Sequence, residues 1–214
     1  MGGDTPKQFL DLAGEPVIIH TVKKFQSSEA VTDILVVCLE EYMGALRELL
    51  GAAGIGKLAG LVPGGDTRQA SSYNGLKACP EGTELVLIHD SVRPLVSRGL
   101  IADVAAAAEE TGAAAPVIAS SDTIVVEKGG FISDIPDRKT LKRIQTPQGF
   151  RFQTMLEAHK DAVSKGVTDS TDDCALVLGQ GKPVKAVAGE DTNIKITDRS
   201  DHILAQSLML EARA

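Results

Sequence analysis

Glu84-Leu-Val-Leu-Ile-His-Asp90-Ser-Val-Arg93-Pro94 is the stretch whose reading decides the fold. Its four aliphatic residues, Leu85 to Ile88, are too few for a helix and run on where a half-exposed strand would alternate. They are therefore expected to form a strand buried on both faces of a parallel sheet. The chain then turns polar at once. In an open α/β sheet ligands bind beyond the carboxyl ends of the strands, which puts His89, Asp90 and Arg93 where chemistry is expected. The plainer alternative is that Asp90-Ser91 opens a loop and caps the next helix.

Working outward, Val17, Ile18, Val22 and Phe25 space a short amphipathic helix entered through Pro16, and Asp33 to Leu39 reads as a buried strand. Glu40 to Leu50 is expected to be helical, with Gly51 as its C-cap. Leu58 to Val62 is a short strand leading into Pro63-Gly64-Gly65-Asp66, whose glycines let the backbone turn closely around a ligand. Arg68 to Lys77 reads as a helix, Leu100 to Glu110 as another, and Ala113 to Ile118 as a buried strand weakened by Pro116. This alternation is the signature of a right-handed, doubly wound, mostly parallel α/β sheet.

From Ser121 the pattern changes. Two β-rich runs flank Lys128-Gly129-Gly130, a hairpin signal, so residues 121–145 are expected to project as a β-arm. Pro147 punctuates the stretch that follows. Gln153 to Ser164 is then helical, and the Thr, Ser and Asp residues of 168–173 are placed to cap a helix from Cys174 to Leu178. Val184 to Val187 and Asn193 to Thr197 read as final strands, and Ser200 to Arg213 as the closing helix. No linker or repeat divides the chain, so residues 1–214 are expected to form one domain.

Composition narrows the function classes. With 22 basic and 29 acidic residues the net charge is −7, and no Lys/Arg stripe of the kind nucleic acids need is present. Hydrophobic residues make up 43% but aromatics only 3%, as suits small aliphatic side chains between helices and a sheet. Cys38, Cys79 and Cys174 are odd in number and widely spaced, which argues against disulfides and zinc and for a reducing, cytoplasmic setting. No apolar run approaches the length of a membrane span, and Met1-Gly-Gly-Asp-Thr-Pro lacks signal-peptide regions. The histidines, His20, His89, His159 and His202, show no metal-ligand spacing and are read as structural or solvated.

One phosphate motif fails on context. Gly51-Ala-Ala-Gly-Ile-Gly56-Lys57 has the P-loop spacing, but Leu58 stands where Ser or Thr would hold Mg²⁺, and the loop follows a helix instead of a strand. No G-x-G-x-x-G supports a dinucleotide enzyme either. Lys7 alone would pass for a solvated surface residue.

Six segments stand in one order: Pro6-Lys7-Gln8-Phe9-Leu10, Gly64-Gly65-Asp66-x-Arg68, His89-Asp90-Ser91-Val92-Arg93-Pro94, Asp122-Thr123-Ile124, Gln145-Thr146-Pro147-Gln148 and Asn193-Ile194-Lys195-Ile196-Thr197. Together, from residue 6 to about residue 205, they resemble the family of 2-C-methyl-D-erythritol 4-phosphate and ribitol-5-phosphate cytidylyltransferases. The resemblance implies a nucleotide-diphospho-sugar transferase type of fold and a CTP-dependent nucleotidyltransferase that releases pyrophosphate. It also implies one departure: family members begin with a strand and a glycine-rich loop ending in Arg-Met, which wraps the CTP phosphates and supplies a catalytic Arg. Here Met1-Gly2-Gly3-Asp4 starts at about that Met. The first strand and loop are thus expected to be missing, and the natural product to be longer by roughly two dozen residues.

Because the reaction joins two anions, it depends on positioning and charge neutralisation more than on proton transfer. By resemblance, Lys7 and Lys195 are the catalytic cations, and Gly65, Asp66, Arg68, Ser71 and Asp90 bind the nucleotide. Arg93, Thr123, Arg138 and Thr171 bind the polyol phosphate, although Thr171 reads equally as part of a helix cap. Asp90 would also hold Mg²⁺, and in the family the arm crosses into a second subunit, so a homodimer with Thr123 and Arg138 completing the partner's site is implied. Pro6 to Leu10 and Ile135 to Arg138 lean toward ribitol 5-phosphate as substrate. Thr171 to Asp173 and Asn193 to Thr197 lean toward methylerythritol phosphate, the intermediate of non-mevalonate isoprenoid synthesis, which is the favoured expectation. A non-catalytic remnant that dimerises through its arm is the alternative. A phospho-accepting receiver domain lacks the acidic pair that it needs after its first strand.

Overall fold

The computed structural model describes residues 6–211, so the expectations that fall on Met1 to Asp4 and on the end of the last helix at Arg213 lie outside the described residues. In chain order the elements are β1 (Asp11–Leu12), β2 (Glu15–Pro16), α1 (Val17–Gln26), β3 (Ile34–Cys38), α2 (Met43–Ala52), β4 (Leu58–Pro63), α3 (Arg68–Lys77), β5 (Leu85–Ile88) and α4 (Arg98–Thr111). They continue with β6 (Ala113–Ala119), β7 (Val126–Lys128), β8 (Phe131–Asp134), β9 (Lys142–Ile144), β10 (Gln148–Arg151), α5 (Phe152–Ser164), α6 (Asp173–Gly179), β11 (Lys185–Ala188) and α7 (Arg199–Glu211). The α/β body and the β7–β8 arm around Gly129-Gly130 stand as expected; both glycines have positive φ, as a tight hairpin turn requires.

The central sheet has the order β11-β6-β10-β5, with β9 extending β6 beyond the end of β10. β11 runs parallel to β6, while β10 lies antiparallel to both β5 and β6. The periodicity around Pro147 hides β9 and β10, because each is only three or four residues long. Pro116 is tolerated in β6 because it sits where the partner changes from β10 (Ala113, Ala114) to β9 (Val117 to Ala119).

Helices cover both faces. On β10, Phe150 packs with Met155 and Ala158 of α5, while a Cβ added to the preceding Gly149 would lie 2.8 Å from Ala108 and 3.0 Å from Val104 of α4. Adjacent strand residues point to opposite faces, so α4 lies on one side of the sheet and α5 and α6 on the other. Gly149 is what lets α4 approach so closely. β5 obeys the same alternation: Leu87 joins the cluster of Val104, Ile101 and Leu100, whereas Val86 and Ile88 join that of Phe150.

Four expectations are corrected. Leu85 to Ile88 are only half-buried, because among the described residues β5 pairs with β10 alone and its other edge carries no strand. β3 likewise pairs only with β4, so the sheet is interrupted between β3 and β5 although Ile34, Val36 and Leu87 share one apolar cluster. Gly51 lies inside α2, whose cap is Ala53, and Gly54 takes the positive φ. Asn193 to Thr197 form no strand; the segment is held by Ile196 N–H donating to Val92 O at 2.9 Å and by Ile196 buried against Leu12, Val17 and Ala205.

Candidate active site

Asp90 leaves the carboxyl end of β5, as the sheet argument expects. Its backbone N–H donates to Thr146 Oγ1 at 3.1 Å. That hydroxyl oxygen is 3.0 Å from His89 Nδ1 and, having accepted one hydrogen, has its own proton free to donate to the ring nitrogen. The imidazole proton then sits on Nε2, which donates to Arg93 O at 3.2 Å. Burial pushes the His89 pKa down to about 4, so the neutral ring required by this arrangement is the one present at pH 7. With Arg93 N–H bonded to Asp90 O at 3.1 Å, the turn from Asp90 to Arg93 is closed from both sides.

Two cations meet the Asp90 carboxylate. Arg93 Nε donates to Oδ2 at 3.0 Å, and Lys195 Nζ lies 3.3 Å from the same oxygen. Burial opposes ionisation of Asp90, but Lys195 and then Arg93 outweigh it and hold the carboxyl below its ordinary range. Arg93 also donates from Nη1 to Asn193 O at 2.8 Å, which leaves less of its guanidinium for a substrate than its expected role as a phosphate clamp supposes. The Lys195 side chain stays 43% exposed, so its ammonium remains open to a ligand.

The Lys195 segment is set by a buried polar frame to which the sequence assigned no role. Asn193, fully buried, donates from Nδ2 to Thr146 O at 2.8 Å. Gln145 Nε2 donates to Glu190 O at 2.8 Å while its Oε1 accepts from Glu190 N–H at 3.1 Å. Gln145, Thr146 and Asn193 fall inside two segments already singled out. Their burial was the missing signal, since a polar residue looks the same in a sequence whether solvated or enclosed.

The second wall is the turn after β4. A Cβ on Gly65 would stand 2.5 Å from Ala70 Cβ, so only glycine lets the turn fold onto α3. Gly65 N–H donates to Ser71 Oγ at 3.0 Å, and that hydroxyl donates to Thr67 O at 3.0 Å. Ser71 thus shapes the loop, and Asp66 is left exposed at its tip. Thr67 caps α3 by accepting from Ala70 N–H. Arg68 Nη2 pairs with the buried Asp173 Oδ2 at 2.5 Å, and Ser72 Oγ donates to Asp173 Oδ1 at 2.9 Å. Burial disfavours the Arg68 charge, but Asp173, and after it Asp90 and Asp172, more than compensate. Arg68 therefore feels the field of Asp90.

The remaining expected residues are not joined to this centre. Lys7 lies exposed in a single 3₁₀ turn, Lys7–Phe9, and its side chain forms no hydrogen bond or ion pair among the described residues. Asp201 is held below the ordinary carboxylate range first by Thr197 and in part by Lys7, which puts Lys7 within the field of the Thr197–Asp201 pair at the start of α7. Thr123 and Arg138 are exposed on the arm, where Arg138 Nη1 donates to Ser121 O at 3.1 Å. Thr171 is exposed directly before Asp172, which caps α6 through Cys174 N–H at 2.8 Å. Among the described residues no three His, Cys, Asp or Glu side chains converge as a metal cage. A lone Asp90 whose Oδ1 is not engaged still suits Mg²⁺, which takes one or two carboxylates and fills its other positions with phosphate and water.

Comparison with known proteins gives one answer. The family model described as IspD, 2-C-methyl-D-erythritol 4-phosphate cytidylyltransferase, matches residues 1–211. The cytidylyltransferase of that name from Desulforamulus reducens is 41% identical over 98% of this chain and 90% of its own, and that from Geobacillus kaustophilus is 40% identical over 100% and 93%. Among solved structures, the Thermus thermophilus enzyme of the same name superposes with a TM-score of 0.80 at 37% identity, covering 98% of this chain and 95% of its own. The 4-diphosphocytidyl-2C-methyl-D-erythritol synthase of Anaerococcus prevotii reaches 0.86 at 28% identity, covering 94% and 88%.

Proposed function

The chain belongs to the 2-C-methyl-D-erythritol 4-phosphate cytidylyltransferase family, and from that premise we propose that its cleft transfers CMP from CTP to 2-C-methyl-D-erythritol 4-phosphate with release of pyrophosphate. The observation that carries this reading is the meeting of Asp90, Arg93 and Lys195, drawn from segments about 100 residues apart, in a chain of net charge −7.

An oxygen of the alcohol phosphate attacks the α-phosphorus of CTP, and pyrophosphate leaves opposite to it. The two reactants repel each other, so their approach needs fixed positive charge. Lys195 supplies it from an exposed ammonium whose position is set by Asp90. Arg93, braced on Asp90 and Asn193 O, keeps that carboxylate oriented and leaves its Nη2 for a phosphate oxygen. The glycine turn at Gly64 to Asp66 offers a close backbone surface to the base, and Arg68 stands behind it. Thr171 faces the alcohol hydroxyls from the loop before α6. Lys7 meets the triphosphate from the α7 side.

Mg²⁺ would be held by Asp90 Oδ1 and by phosphate oxygens, neutralising the triphosphate. The arm exposes Phe131, Ile132 and Ile135, as suits a homodimer in which Thr123 and Arg138 reach the partner's cleft. Among the described residues no helix is long and apolar enough to cross a membrane, which fits a cytoplasmic biosynthetic enzyme.

Pyrophosphate release from CTP, assayed with methylerythritol phosphate and with ribitol 5-phosphate, tests the reading. Turnover with the first and its loss in Lys195→Met are expected. Turnover with ribitol 5-phosphate alone would reassign the substrate, and no release with either would favour a non-catalytic remnant.

A further inference from the structure

Gln69 belongs to none of the motifs above, yet it is only 2% exposed and uses both ends of its amide on a single loop. Its Nε2 donates to Val167 O at 2.7 Å, and its Oε1 accepts from Ser170 N–H at 2.8 Å. Residues on either side of it, from the N-cap of α3 into its second turn, reach the same stretch: Thr67 Oγ1 donates to Thr168 O at 2.9 Å, and Arg68 and Ser72 both bind Asp173. The loop from Val167 to Asp172 has no regular structure of its own before α6 begins at Asp173. Its two ends are therefore located by α3, the helix that also anchors the glycine turn through Ser71 and Gly65.

We propose that Gln69 is a positioning residue that sets the alcohol subsite relative to the nucleotide subsite. This deepens the function proposed above and rests on it in one respect, the placing of Thr171 against the alcohol. Thr171 makes no side-chain hydrogen bond among the described residues, so its position follows from the backbone at Ser170 and from the cap at Asp172. A glutamine clasping the loop carbonyl at 167 and the amide at 170 removes freedom from the residues between them and from Thr171 just beyond. A surface loop of this kind tolerates the loss of such a clasp without unfolding the body. Val167 itself is 45% exposed, so the loop lies at the surface and outside the core. The loss then falls on loop order and on whatever the loop orients, and CTP, whose loop lies on the other side of the clasp, is spared.

The test uses Gln69→Met, which keeps length and apolar bulk but has neither donor nor acceptor. Hydrogen exchange over residues 165–172 and calorimetric dissociation constants for CTP and for 2-C-methyl-D-erythritol 4-phosphate, the latter on protein loaded with an unreactive CTP analogue, are the readouts. Faster exchange in the loop, with roughly tenfold weaker alcohol-phosphate binding and a CTP constant within about threefold, is expected from two lost hydrogen bonds of ordinary strength. Unchanged loop exchange overturns the clasp. A loosened loop with both constants unchanged, or both weakened alike, overturns the positioning role. Thr171→Val serves as the separate check: if it leaves alcohol-phosphate binding intact while Gln69→Met weakens it, the clasp stands and the placing of Thr171 in the proposed function falls.

Discussion

Lys195 Nζ and Asp90 Oδ2 lie 3.3 Å apart, with Arg93 Nε on the same oxygen at 3.0 Å, so one carboxylate orients two cations whose chain positions are 102 residues apart. Lys195 is the more exposed of the two and the one free to move onto a ligand. If its charge acts chiefly on the transition state, Lys195→Met should lower kcat by about 10²–10³-fold with a smaller change in KM for CTP, the scale seen when one electrostatic donor is removed. Lys195→Arg should recover part of it. Steady-state kinetics of both variants check this, and a pure KM effect would make Lys195 a binding residue only.

His89 predicts how stability depends on pH. Its pKa is about 4 in the folded chain against an ordinary 6.5, so the unfolded chain takes up its proton first as pH falls. Stability from this group is therefore constant above about 6.5 and is lost between there and about 4, by at most about 3 kcal/mol. Asp90, whose carboxyl is depressed, acts in the same direction at still lower pH. Urea unfolding at pH 7.5 and 5 should show this loss, and His89→Gln, less stable at pH 7.5, should lose less on acidification. A parallel decline in both proteins would refute the assignment.

Gly65→Ala should distort the turn after β4, because the new methyl meets Ala70 Cβ at 2.5 Å and Ala70 has no flexible side-chain end to give way. A cost of about 1–3 kcal/mol and weakened CTP binding are expected. Gly51→Ala is the control: it lies inside α2 with nothing within 4 Å of the added carbon, and it should stabilise by roughly 0.5–1 kcal/mol. Thermal unfolding of the pair, together with CTP titration, decides whether close approach or glycine itself is what the turn requires.

Asp173 is buried between Arg68 and His159, and its carboxyl stays ionised because His159, Arg68 and Ser72 together outweigh burial. Asp173→Ala would leave the Arg68 guanidinium, beside Ser72 and His159, without the carboxylate that pairs with it. The expected cost is about 3 kcal/mol, at the low end for a broken buried pair because the Arg68 side chain is 34% exposed. Combining it with Arg68→Met should return part of that stability. If the double variant is no better than Asp173→Ala, the loss comes from packing and not from the orphaned charge.

The parts of the chain that could be read in advance are those in which a local pattern repeats. Arg68 to Lys77 reads as a helix from the sequence, and its observed span matches the expected one. Asp90 and Arg93 could be placed because a polar turn after an aliphatic run says where a strand ends. β9 and β10 could not, since three or four residues around a proline give no period to detect. The frame of Gln145, Thr146, Asn193 and Glu190 was equally hidden, because its members meet only after β10 and the loop following β11 have been brought together. Lys195 lay in view, but its ion pair with Asp90 depends on that frame.

The interruption between β3 and β5 leads to the last prediction. Each strand is paired on one edge only among the described residues, whereas β6 is flanked by β11 on one side and by β9 and β10 on the other. Alternate amides of a strand point to alternate edges, so β3 and β5 each present N–H groups with no ladder partner in the described fold. Packing alone does not protect them: Ile34, Val36 and Leu87 share a core, but apolar side chains accept no hydrogen bonds. Hydrogen exchange resolved by residue should therefore show slow and fast amides alternating along Ile34–Cys38 and Leu85–Ile88, and more even protection along Ala113–Ala119. Equal protection in all three strands would mean that the open edges are covered in solution, and the half-burial of Leu85 to Ile88 would then need another cause.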